Sequence, residues 1–129
     1  MAIWKLDLLY LAIGALSGVY LRYKIGSDAL FVYGVPVTIL FINVLGSFIL
    51  GLSMTTVQRF GLSQNYVILL GIGFCGSFTT MSSFAFEGAA LLDAGKLLLG
   101  LVYIVLNVVL SLLGIVAGRA LIILVAGLL

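Results

Sequence analysis

The chain has 129 residues, 64% of them apolar and 8% charged, with a net charge of +2 and no histidine. A water-soluble domain carries roughly 25% charged residues, so a mean hydropathy of +1.41 places this chain in a bilayer instead. The small, scattered positive charge excludes a nucleic-acid surface, and a single cysteine excludes an intrachain disulfide and a His/Cys metal cluster.

A hydrocarbon core takes roughly 20 apolar residues per helix. The chain has room for four such spans, short loops and one membrane domain over residues 1–129. The first predicted span covers 3–23, with Lys5 and Asp7 at its start and Arg22 and Lys24 at its end. Gly14 and Gly18 stand at the G-x-x-x-G spacing that lets membrane helices approach closely. The stretch lacks the small-residue cleavage site of a secretory leader. Gly, Ser, Asp and Pro mark residues 26–36 as a loop. The second span covers 37–58 and closes at Arg59. A loop around Gly61 and Ser63 follows. The third span covers 66–92, a tight turn at Asp93–Lys96 comes next, and the fourth span covers 97–124.

The third span is unlike the others. Residues 71–84 contain three glycines and five hydroxyl residues inside an apolar segment. Gly costs about 1 kcal/mol against Ala within a helix, and Ser and Thr compete for backbone hydrogen bonds. At membrane depth such backbone survives only where protein or a water-filled cavity surrounds it. The sequence therefore predicts a helix break over residues 76–80, with carbonyls freed to coordinate something. Carbonyls without a nearby carboxylate suit a hard monovalent cation better than Ca²⁺. Residues 71–76 also spell G-x-G-x-x-G, but a dinucleotide site needs a preceding strand and a βαβ unit, which four membrane spans do not supply.

Polar residues elsewhere in the spans are few. Asn43 has two donors and two lone pairs to satisfy, and reads either as interhelical glue or as the wall of a polar path. Ser47 with Gly51, and Gly114 with Gly118, read as close packing. Tyr103, Asn107 and Ser111 follow one another at i, i+4 and i+8, so they stack on one helix face. They form either a continuous polar track or separate helix–helix bonds. Glu87 and Arg22 each read as intramembrane functional charges or as interfacial ones.

Four spans put both termini on one side, together with Lys5, Arg59 and Arg119; the other side takes Arg22, Lys24 and Lys96. Three basic residues against three give the positive-inside rule no preference. Insertion in both orientations, and an antiparallel dimer, follow as an expectation.

The run Gly73-Phe74-Cys75-Gly76-Ser77-Phe78-Thr79-Thr80-Met81-Ser82-Ser83-Phe84 resembles the signature of the Fluc (CrcB) fluoride channels, roughly G-F-x-G-G-x-T-T-F-S-T-F. Asn43 ahead of Gly46-Ser47, and Leu21-Arg22-Tyr23, resemble the family too. The likeness covers nearly the whole chain. It implies an all-α membrane protein of four transmembrane helices, the third broken mid-membrane, in a bacterial or archaeal cytoplasmic membrane. It implies an antiparallel homodimer, two fluoride pores and passive fluoride export without enzymatic activity. It places Asn43, Met81, Phe84, Tyr103, Asn107 and Ser111 along the fluoride path. It assigns a structural Na⁺ on the dimer axis to the backbone carbonyls of Gly76 and Thr79. The sequence departs from the pattern where Met81 replaces Phe, Asn107 replaces a smaller hydroxyl, Ser77 replaces a second Gly, and Thr38 lies five residues before Asn43 rather than four. The alternative is a small four-span multidrug exporter, which needs an acidic residue deep in the first span; residues 8–20 hold none.

Overall fold

The computed structural model describes residues 2–128. Four helical segments are long and apolar enough to cross a membrane: Leu6–Gly26, Thr38–Arg59, Gln64–Asp93 and Leu97–Gly127. The four expected spans are therefore present: the second is shifted by one residue, and the others run a few residues past their apolar patterns. Helix α1 (Ala2–Gly26) extends past Arg22 and Lys24, which lie in its last turns. Helix α2 is Thr38–Arg59. The third span begins at Gln64, where the Ser63 side chain accepts the Asn65 N–H. We label residues 64–78 α3, Met81–Asp93 α4 and Leu97–Gly127 α5. At about 1.5 Å per residue, the 31 residues of α5 outreach a hydrocarbon core of about 30 Å.

The first loop is more ordered than its composition implied. Phe31–Val32 (β1) and Val35–Pro36 (β2) pair antiparallel. The two residues between them, Tyr33 and Gly34, have φ of 51° and 84°, the double positive φ of a tight hairpin turn whose twist matches its strands. Thr38 ties this hairpin to α2: its hydroxyl accepts the Leu30 N–H at 2.8 Å and donates to the Asp28 carbonyl at 3.2 Å. The turn between α4 and α5 is closed by Gly95 at φ 72°. The Gly95 N–H donates to Leu92 O and the Lys96 N–H to Leu91 O, both at 2.9 Å, so carbonyls at the end of α4 find partners.

Small residues set the packing. Lipid offers no hydrophobic drive between helices, so close van der Waals approach has to supply it. A Cβ at Gly14 or Gly18 would run into the backbone of Leu69 or Phe74, so α1 lies directly against α3. A Cβ at Gly51 would meet the Ile115 carbonyl, and one at Gly118 the Phe48 carbonyl, so α2 lies equally close to α5. Spans one and three run parallel as one pair, and spans two and four as the other. The core gathers around Ile42, Phe78, Phe84 and Tyr103, level with the end of α3, while residues such as Leu112 and Leu113 face outward.

The third span differs from expectation in two respects. Val67–Cys75 is a π-helix, in which backbone bonds reach five residues back and the helix is wider than an α-helix. The break is also shorter than the predicted 76–80. Gly76–Phe78 stay helical, and only Thr79 (φ −73°, ψ 156°) and Thr80 (φ −148°, ψ 114°) are extended. The glycine is thus not where the chain leaves the helix. The helix ends where Thr80 finds partners elsewhere and restarts because the Thr80 hydroxyl accepts the Ser83 N–H at 3.2 Å, an N-cap for α4.

Candidate functional site

Asn43 faces the break from α2. Its Oδ1 accepts the Thr80 N–H at 2.8 Å, and its Nδ2 donates to the Thr80 carbonyl at 3.3 Å. In an unbroken helix the Thr80 N–H would go to the Gly76 carbonyl. The Asn43 amide takes over that duty and releases the Gly76 carbonyl from it. The same Nδ2 donates to Asn107 Oδ1 at 2.9 Å, so the two asparagines are joined between α2 and α5. The two readings of Asn43, glue and wall, both describe its placement.

Arg22 reaches the break from α1, donating from Nη1 to the Thr79 carbonyl at 3.2 Å. Its head thus lies in the protein rather than in a loop. Glu87, one turn past Phe84 on α4, accepts the Tyr103 hydroxyl proton at 2.6 Å. Tyr103 is fully buried, and its ring centroid lies 5.5 Å from that of Phe84 at 41°.

Beside the break is a groove of about 350 Å³. Asn43 enters it from α2, Met81 and Phe84 from α4, and Asn107 and Ser111 from α5. Gly76 and Thr79 line it as well. Of the residues predicted for the ion path and the cation, Tyr103 alone stands outside the lining, packed behind Phe84 and tied to Glu87. Met81 is 73% exposed at the rim, whereas Phe84 is 8% and Asn107 4% exposed. The i, i+4 spacing of Asn107 and Ser111 therefore does bring both to one cavity.

Sequence reasoning missed three features of the site. Thr80 is its hinge, held at N–H, carbonyl and hydroxyl; its place in a hydroxyl-rich run was the available signal. Ser47, read as a packing residue, lines the groove. The pairing of Glu87 with Tyr103 crosses from α4 to α5 and has no sequence spacing that announces it.

As to metals, no cluster of three or more His, Cys, Asp or Glu side chains exists among the described residues. The candidate donors for a cation are backbone carbonyls. That of Gly76 is freed by the diversion of Thr80. That of Thr79 uses one lone pair on Arg22 and keeps a second. Neutral oxygens without a carboxylate fit a hard monovalent ion.

Four spanning helices, the third interrupted beside a groove lined by amides, hydroxyls and an aromatic ring, define an integral membrane protein with polar groups gathered at the break. Residues 9–119 match the family described as CrcB-like protein, Camphor Resistance (CrcB), and the chain belongs to it. It is similar to a fluoride-specific ion channel FluC of Methanocaldococcus jannaschii, 36% identical over 89% of this chain and 93% of that one. Relatives of the same name occur in Methanopyrus kandleri, 37% identical over 88% and 87% of the two chains, and in Nitrosopumilus maritimus, 38% identical over 90% and 92%.

Proposed function

We propose that this protein is a passive, fluoride-selective channel that lets fluoride leave the cell through the groove beside the break. The observation that carries this reading is the convergence of Asn43, Asn107, Ser111 and Phe84 on one cavity in a membrane protein. Fluoride holds its water strongly, so a path must offer donors in exchange. Amide N–H groups and the Ser111 hydroxyl are such donors. A ring presents its positive edge to an anion, which gives Phe84 a place along the route. Met81 offers a polarizable thioether at the rim, and Tyr103 backs the path through its tie to Glu87. Membership of the CrcB family and relatives named as fluoride-specific channels support the assignment. The exporter alternative lacks its acidic residue deep in the first span, over residues 8–20.

The working unit we propose is an antiparallel homodimer with two such paths, built from one membrane domain per copy. A groove that holds amides yet lies on the side of a protomer is poorly suited to lipid, and a second copy in the opposite orientation would cover it. The near-balance of basic residues at the two ends permits both orientations. In the dimer the carbonyls of Gly76 and Thr79 from both copies would hold a structural Na⁺, which neutralises their dipoles and joins the subunits without crossing the membrane.

The test is release of fluoride from proteoliposomes loaded with fluoride or with chloride. Fluoride should leave down its gradient and chloride stay. Equal release of both ions rejects selectivity. Absence of fluoride release from both the parent and the Met81→Phe variant rejects the channel.

A further inference from the structure

One end of the molecule carries an apolar surface that the groove does not use. The hairpin between α1 and α2 has two unlike strands. β2 is buried, with Val35 in the core. β1 faces outward: Phe31 is 63% exposed and Val32 about half exposed. Tyr33 at the tip is 97% exposed, so its ring has next to no contact with the rest of the protomer. Tyr33 also holds φ at 51°. The first position of such a turn favours Asn, Asp or Gly, because bulkier side chains are strained there. Neither the turn nor internal packing gives a reason for a ring at this place.

The hairpin is nonetheless fixed to the spans. The Val37 N–H donates to the Leu30 carbonyl at 2.9 Å, and the Thr38 hydroxyl ties Asp28 and Leu30 to the start of α2. A Cβ on Gly34 would meet Leu99 Cδ1 at 3.4 Å, so the tip lies beside the first turn of α5. That turn has a definite depth. At about 1.5 Å per residue, Leu97 stands about 33 Å from Arg119 along α5, and a hydrocarbon core is about 30 Å thick. With Arg119 at one polar boundary, Leu97 and the hairpin reach the other. Exposed Lys24, Lys96 and Tyr23 share that end.

Amphipathic rings, aliphatic side chains and cationic neighbours together suit a membrane–water interface. In water a two-stranded hairpin is marginal by itself, and a bare apolar edge strand invites association with other chains. We infer that the β1 face and Tyr33 form an interfacial anchor, whose partner is the headgroup–acyl boundary of the bilayer that the spans cross. The apolar side chains of β1 meet the upper acyl chains. The Tyr33 hydroxyl stays among ester and phosphate oxygens, and Lys24 and Lys96 meet anionic headgroups. The surface is continuous with exposed Leu97 and Leu98 at the start of α5.

The experiment is depth-resolved fluorescence quenching of Tyr33→Trp in a Trp4→Phe background, which leaves a single indole. The protein is reconstituted in phosphatidylcholine vesicles whose chains carry bromine either just below the glycerol or near their ends. Iodide is the quencher from water. Shallow bromine should quench the indole roughly twofold more than deep bromine, as for a group within about 5–10 Å of the headgroup boundary, and iodide should quench weakly. Strong iodide quenching without bromine quenching places the hairpin in water and overturns the inference. Shielding from all three quenchers means that protein, such as a second copy, covers the hairpin, and overturns it as well. So does stronger quenching by deep bromine. Parent-like elution in detergent shows that the variant is folded. Phe31→Trp in the same background repeats the measurement on the exposed strand without altering the turn, so a Tyr33→Trp protein that fails to fold still leaves a decisive reading. Fluoride release does not enter the readout, so the anchor stands or falls apart from the channel.

Discussion

Helices α2 and α5 meet twice, in two different ways. Toward one end Gly51 lies against the Ile115 carbonyl and Gly118 against the Phe48 carbonyl, leaving no room for a side chain. Two turns or so away, Asn43, Asn107 and Ser111 occupy the same pair of helices and a groove of about 350 Å³ opens. The first contact is backbone against backbone because its residues are small. At the second an asparagine on each helix joins the two through one 2.9 Å bond. Glycines and asparagines in the same two spans thus do different things: the glycines let the backbones touch, and the asparagines bond side chain to side chain beside the groove.

The closed contact is the more sensitive to substitution. Gly118→Leu should cost well over the ~1–3 kcal/mol usual for an overpacked core, because the opposing atoms are backbone and cannot turn aside. We expect loss of the folded species by size-exclusion chromatography in detergent. A Gly118→Leu protein with parent elution and parent thermal stability would show that the seam is not tight.

The open contact should lose function before it loses structure. Asn43→Ala leaves buried partners of Thr80 and Asn107 unmet, at about 1–3 kcal/mol. With about 1.4 kcal/mol per tenfold in rate, fluoride release should fall by roughly ten- to a hundredfold while the protein still elutes as the parent does. Parent-like release from an intact Asn43→Ala protein removes Asn43 from the site.

Arg22 sharpens the comparison, since it brings charge to the open side only. A hydrogen bond from a charged group is worth about 1.5–3 kcal/mol, reduced at this part-buried position. Arg22→Gln should lower stability modestly. It should also strengthen the proposed Na⁺ effect, because the guanidinium no longer competes at the Thr79 carbonyl. Thermal unfolding in Na⁺ against a large organic cation reads both effects. A weaker Na⁺ dependence in Arg22→Gln would instead make Arg22 a support of that site.

Met81 is expected to matter least. Surface substitutions usually stay within about 0.5 kcal/mol, and Met81 is 73% exposed in the protomer. Met81→Phe should leave stability unchanged and alter fluoride release by a few-fold at most. A large gain in thermal stability would mean that residue 81 is buried against a second copy.

Much of this protein is determined by its sequence alone. Four apolar stretches can only be spans, because unpaired backbone has no other solution in hydrocarbon. The i, i+4 spacing of Asn107 and Ser111 puts them on one face, because helical periodicity is local. The paired glycines predict close packing for the same reason. Where the third span stops was not legible. Composition pointed to Gly76, but a glycine only permits a break. The helix ends at Thr79–Thr80 because Asn43, 37 residues away, captures both polar groups of the Thr80 backbone. The reach of Arg22 to Thr79 and of Tyr103 to Glu87 was hidden likewise. Each is a hydrogen bond between different helices, and such a partner is chosen only when packing brings the two surfaces together.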